Sequence, residues 1–303
     1  MTREPQHTKE RHRKAPRLIS CLFKAVCTII ILLSIAAYRT IAVKYTSNDI
    51  VYNGYFGHTV IGTTNKNPGQ YIFEVLGPSI KKEPKHFKIR PGTTAINNDI
   101  SIYNCGIFLA AYSIELPEGL ATIGSAAFKN TEGLKSIVIP NSVTFIDSKA
   151  FQGCTELESI TLSNSLTAIP DQCFTWCKSL ESIAIPASVN KIGAGSFEKC
   201  HSLKSITIPN SVSYIAGNVF AECSNLSQVT LSNRVTTLRP LTFYKCVKLK
   251  NIVIPDSVTT ICARAFEKCT SLKTASVPST AKIEKDAFPP HTKIIRRPTA
   301  NHK

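Results

Sequence analysis

The sequence predicts a β-rich α/β solenoid: a right-handed coil of 23-residue units with parallel strands on the concave side and short helical or 3-10 turns opposite. Three observations predict it. A leucine recurs every 23 residues, at Leu134, Leu157, Leu180, Leu203, Leu226, Leu249 and Leu272, and the register reaches back to Ala111. A phenylalanine column keeps step with it, at Phe128, Phe151, Phe174, Phe197, Phe220, Phe243 and Phe266. Between the two, each copy repeats one spacing of apolar residues, L-x-x-I-x-[IL]-[PS]-x-x-[VL]-x-x-I-x-x-x-[AC]-F-x-x-C. A period of this length means one supersecondary unit per repeat, unable to bury its apolar face alone and stacked on its neighbours.

The first element is of another kind. Residues 1–24 hold Arg3, Lys9, Arg11, Arg13, Lys14, Arg17 and Lys24 against Glu4 and Glu10, and an apolar run from Ala25 to Tyr38 is closed by Arg39. A basic flank before a short apolar segment is the pattern of a secretory signal. Ser34-Ile35-Ala36 offers a small-x-small cleavage site, and the run is shorter than the ~20 residues of a spanning helix. Leu18 to Val43 spans instead if Lys24 and Arg39 reach the interfaces. Residues 1–45 are therefore a signal peptide or an N-terminal membrane anchor, and in both cases the rest is exported to the cell envelope, periplasm or outer surface. Cys21 and Cys27 lie before or inside the run, the wrong place for lipidation.

Net charge is +16, and removal of residues 1–36 takes seven positive and two negative charges, leaving +11 on the exported part. Such an excess favours anionic partners. Export excludes nucleic acid as the natural one, and the basic flank itself serves targeting.

Residues 46–110 form an N-terminal cap. Tyr52, Tyr55, Phe56, Tyr71 and Phe73 stand among turn signals such as Asn53-Gly54 and Pro68-Gly69, and residues 86–110 echo the repeat out of register. Seven 23-residue repeats fill 111–271, a shortened unit over 272–290 caps the C-terminal end, and 291–303 read as a basic, disordered tail. Within each unit the Leu-x-x-Ile-x-Ile part alternates and is β-branched, the signature of a short strand. Pro140, Pro186, Pro209, Pro255 and Pro278 end it, because proline cannot donate to a continuing ladder. Counting from the leucine as position one, positions ten and thirteen point inward again, and the Ala-Phe-x-x-Cys segment supplies apolar residues at near-helical spacing.

The text Ile139 to Cys154, and again Ile208 to Cys223, resembles the BspA-like (Treponema-type) leucine-rich repeat family over about residues 111–288. The resemblance implies a curved leucine-rich repeat solenoid exported by bacteria or microbial eukaryotes, often serving adhesion to host or matrix proteins, with no catalytic residues to carry over. Ser163 and Ser232 depart from it in the proline column and Thr131 in the cysteine column.

No feature points to an enzyme, a cofactor or a metal. Cys154, Cys177, Cys200, Cys223, Cys246 and Cys269 form one column, and stacked ligands do not make the close pairs a metal needs. Of eleven cysteines nine follow the apolar run, an odd number that excludes complete pairing. They read as small buried hydrophobes, with Cys262 and Cys105 the exposed thiols. The seven histidines do not recur with the repeat, and Cys200-His201 is an isolated neighbour pair.

Surface positions say more. Ser159, Ser182 and Ser205 belong to position three, a ladder of small side chains facing water, either a platform for an extended polymer or only residues suited to a packed sheet. Trp176, at position twenty, is the one tryptophan and faces outward, where such residues anchor partners, or it lies across the gap beside Gly153. Arg234, Arg239, Tyr244, Lys245, Lys248 and Lys250 crowd one repeat and suit an acidic ligand, or form a solvated face. The sequence thus reads as an exported interaction or adhesion scaffold binding host protein, matrix, glycan or other anionic macromolecules. The alternative is a structural envelope protein held to the membrane by its N-terminus, with no extracellular ligand; a third reading is self-association.

Overall fold

The computed structural model describes residues 59–61, 73–75, 85–89, 92–96 and 111–298. The chain divides into Met1–Asn48 and Asp49–Lys303, and every described residue belongs to the second unit. The signal or anchor read over 1–45 lies outside the described residues, as do Cys105, most of the cap and the last residues of the tail. Among the described residues no helix is long and apolar enough to cross a membrane.

The repeats build a parallel-strand β-solenoid of about eight turns. Positions three to five form short strands such as Ser136–Val138, Ser159–Thr161, Ser205–Thr207 and Asn251–Val253. They pair one repeat on, Ser136 with Ser159 and Ser205 with Gln228. Positions twelve and thirteen form a second series of two-residue strands, among them Phe145–Ile146, Lys191–Ile192 and Tyr214–Ile215, again paired in parallel, with Lys191 opposite Tyr214. The unit read as degenerate belongs to the coil: Lys85–Lys88 pairs with Ala111–Glu115 through a bulge, and Ala95–Ile96 with Thr122–Ile123. Before it, Thr59–Ile61 and Phe73–Val75 form an antiparallel pair.

The third side of each coil differs from the expectation. Where helical or 3-10 pieces were expected, the described residues contain no helix, only hydrogen-bonded turns. The cause lies in two columns of left-handed residues. Ala126, Lys149, Gln172, Asn218, Leu241, Arg264 and Asp286 occupy position sixteen or its equivalent, and Asn130, Trp176, Lys199, Glu222, Lys245 and Lys268 position twenty, all with φ between 53° and 67°. A right-handed helix cannot pass through such residues. In exchange, amides that a helix would keep for itself turn to the next coil: Phe151 donates to Cys173 O at 2.9 Å, Phe174 to Ser196 O at 2.7 Å and Phe197 to Val219 O at 2.9 Å.

The core lies between these three sides. The seven phenylalanines of the column are fully buried and stack face to face, with centroids 5.1–5.6 Å apart along the column; Phe288 extends the stack at 4.7 Å. Ser163 and Ser232, the departures in the proline column, are buried and replace proline with a bond, each hydroxyl donating to a valine carbonyl of the preceding coil at 2.6 Å. The C-terminal end also departs from the reading. Lys293–Arg297, inside the segment expected to be a disordered tail, is a strand paired in parallel with Thr274–Pro278. Arg296 closes that end by donating to the carbonyls of Pro278 and Ala281 at 2.9 and 2.6 Å.

Candidate functional site

Alternation along the first strands sends positions three and five to solvent. Ser159, Ser182 and Ser205 are exposed, as are Ser136 before them and Gln228 and Asn251 after. Ser182 sits in a segment without assigned strand, yet the coil-to-coil bonds continue through it, from Glu181 N to Glu158 O and from Lys204 N to Glu181 O. Beside this ladder runs position two, where Lys135 faces Glu158 at 3.8 Å and Lys204 faces Glu181 at 2.6 Å. Exposed pairs of this kind add little stability, but they cancel charge. Further along, Lys250 and Lys273 make no ion pair among the described residues, so that end of the edge is basic.

Trp176 stands on the turn side, 38% exposed. Its backbone is left-handed, and its ring meets its own and the next coil: Lys199 Nζ lies 4.4 Å and Lys178 Nζ 5.1 Å from the ring, and His201 meets it edge-on at 6.2 Å. The cations of this side are largely answered by acids. Lys199 reaches Glu198 at 3.5 Å and Glu222 at 3.9 Å, Glu222 also takes Lys245 at 3.3 Å, and Arg264 pairs with Glu267. Tyr244 is held between Lys245, 5.2 Å from its ring, and Lys268, which donates to its hydroxyl at 3.1 Å.

Of the residues read as one basic patch, Tyr244 and Lys245 meet, but the patch as a whole does not gather in one place. Lys250 is on the first-strand edge, Arg234 at the following corner, Arg239 beside the second strands, and Tyr244 and Lys245 on the turn side. Residues a few places apart in a 23-residue coil lie on different sides of it, so crowding along the chain is not crowding in space. What comes together is what shares a column or its neighbour. Tyr214 receives Arg239 at 4.7 Å and Lys191 at 5.4 Å over its ring, from three successive coils. Sequence reasoning missed this cluster, although reading positions twelve and fourteen down the repeats would have found it.

The cysteine column is core. Each thiol from Cys154 to Cys269 is buried, unpaired and donates to a phenylalanine carbonyl of the preceding coil at 3.0–3.2 Å. Burial pushes the thiols of Cys173, Cys177, Cys200, Cys223 and Cys246 well up from their ordinary value, so they stay neutral. Cys262 is part-exposed, as read. Among the described residues no group of three or more His, Cys, Asp or Glu is arranged to hold a metal.

A family model described as BspA type leucine-rich repeat region matches the chain in six copies, over residues 100–225 and 167–295. Similar solved structures include a leucine-rich repeat protein of T. pallidum at 25% identity and TM-score 0.40, covering 62% of this chain and 72% of that one. Another, from Eubacterium ventriosum, has 23% identity and TM-score 0.41, covering 71% and 78%. A leucine-rich cell surface protein of Faecalibacterium prausnitzii has 20% identity and TM-score 0.31, covering 82% and 96%. No curated protein matches.

Proposed function

The chain belongs to the BspA-type leucine-rich repeat family, and on that premise we propose that it is an exported scaffold that binds anionic macromolecules of a host, matrix or envelope without covalent chemistry. The family's fold suits it to protein interaction, since a solenoid repeats the same outward positions coil after coil and offers a long surface. The observation that carries the reading is the uneven charge of those columns. Acids answer Lys135 and Lys204, whereas Lys250 and Lys273, beside Asn251 and Thr274 of the same ladder, make no ion pair among the described residues. Ser159, Ser182 and Ser205 would supply a flat approach and Lys250 attraction along the same side, while Arg234 and Arg239 would attract at the following corner and beside the second strands, and Trp176 and Tyr244 would offer aromatic contact on the turn side. Export rests on the basic and apolar pattern of residues 1–45.

The test is retention of acidic macromolecules by the immobilised full chain at low and high salt. Charge-driven binding falls as ionic strength rises. Retention that salt does not weaken would favour apolar self-association and remove this reading. Trp176→Ala is expected to weaken retention while the chain still folds, with an unfolding curve that is shifted but keeps its shape.

A further inference from the structure

The second-strand side carries a cluster that nothing above assigns. We propose that it is a binding strip for an acidic polysaccharide, running across the coils with carboxylates on every second sugar. The inference rests on the scaffold reading and names its ligand class and its site.

Position twelve runs Lys191, Tyr214, Thr237, Thr260, Lys282, with Arg239 emerging beside Thr237. Neighbouring coils in a parallel ladder are about 4.8 Å apart, so Lys191, Arg239 and Lys282 recur at roughly 10 Å, one cation for every two coils. A pyranose ring advances a glycan chain by about the rise of one coil. A polymer alternating uronate and neutral sugar therefore brings a carboxylate to each cation in turn, and a neutral ring falls over the intervening coil. An extended peptide advances about 3.4 Å per residue, so two residues fall short of this spacing, and three, which match it, place their side chains on opposite faces.

Three further observations favour the strip over the other basic surfaces. Lys191, Arg239 and Lys282 are exposed and form no ion pair among the described residues, unlike Lys199 and Lys245 on the turn side. The acids that flank it are engaged by the backbone: Asp171 accepts from Ala194 N at 2.7 Å and Glu284 from Ala263 N at 2.8 Å. Tyr214 holds Lys191 and Arg239 over its ring, which sets the spacing of the two cations and spares ordering on binding.

The experiment is a titration of the full chain with a hyaluronan octasaccharide, with poly-glutamate and a neutral chitin oligosaccharide as comparison probes. The wild type binds the uronate oligosaccharide more tightly than either. Lys191→Gln with Arg239→Gln lowers that affinity about tenfold or more, while Lys135→Gln with Lys204→Gln, at cations already answered by Glu158 and Glu181, changes it less than about twofold. Tyr214→Leu, which alters no charge, also weakens binding, because the cations are no longer held in register. Unchanged affinity in the Lys191/Arg239 variant overturns the proposal. So does poly-glutamate binding as tightly as the uronate, which would make the surface a site for acidic proteins. If the wild type ignores the oligosaccharide yet still retains acidic proteins in a salt-sensitive way, the strip falls and the scaffold reading stands.

Discussion

Phe197 shows what single residues do in this molecule. Its ring lies between Phe174 at 5.4 Å and Phe220 at 5.5 Å, and it is tied to the following coil twice, its amide donating to Val219 O and its carbonyl accepting from the Cys223 thiol. Phe197→Ala leaves a cavity between two coils and is expected to cost about 3–5 kcal/mol; a denaturation curve that does not move would refute the core assignment. Gly193 has a different constraint. A Cβ there would stand 2.7 Å from the carbonyl carbon of Pro170 and crowd Asp171 on the coil before. Gly193→Ala is accordingly expected to lower stability by about 1–3 kcal/mol, read from the same curve. The first of these constraints is legible in the sequence, because phenylalanine recurs with the period. The second is not, because it is set by how closely two backbones approach at one corner.

At the scale of the element, the first strand series was legible, the second was read only as inward positions ten and thirteen, and the third side was not legible. Apolar spacing in Ala-Phe-x-x-Cys is close to helical, but residues as varied as Lys149, Trp176 and Leu241 hold left-handed φ there, and no composition signal marks them as such. The strand Lys293–Arg297 was hidden for the opposite reason: it joins the ladder outside the period. The cysteine column, by contrast, was read as core and is core. It has a consequence for pH. Burial favours the neutral thiols of Cys173, Cys177, Cys200, Cys223 and Cys246, so above the ordinary thiol value of 9.0 the unfolded chain releases protons that the folded chain keeps. Stability from this source is complete below that pH and is lost above it, by about 1.4 kcal/mol per pH unit for each thiol. Urea midpoints measured from neutral to alkaline pH should fall beyond 9.0, and less steeply in Cys200→Ala. Equal slopes in the two proteins would show that the column does not drive the loss.

For the whole molecule, the repeat made the solenoid legible but not its surfaces. Charge read along the chain pointed to one basic repeat, whereas the coil distributes Arg234, Arg239, Lys245 and Lys250 around its circumference and gathers Lys191, Tyr214 and Arg239 instead. Outward columns, not linear clusters, are the units a partner meets. The account holds that these columns are displayed outside the cell on an exported scaffold. The measurement that tests this most directly is protease or antibody access to the repeat region on intact cells of the source organism, beside a permeabilised control. Access without permeabilisation is the predicted result. Protection until the envelope is opened would contradict it and leave a structural role inside the envelope.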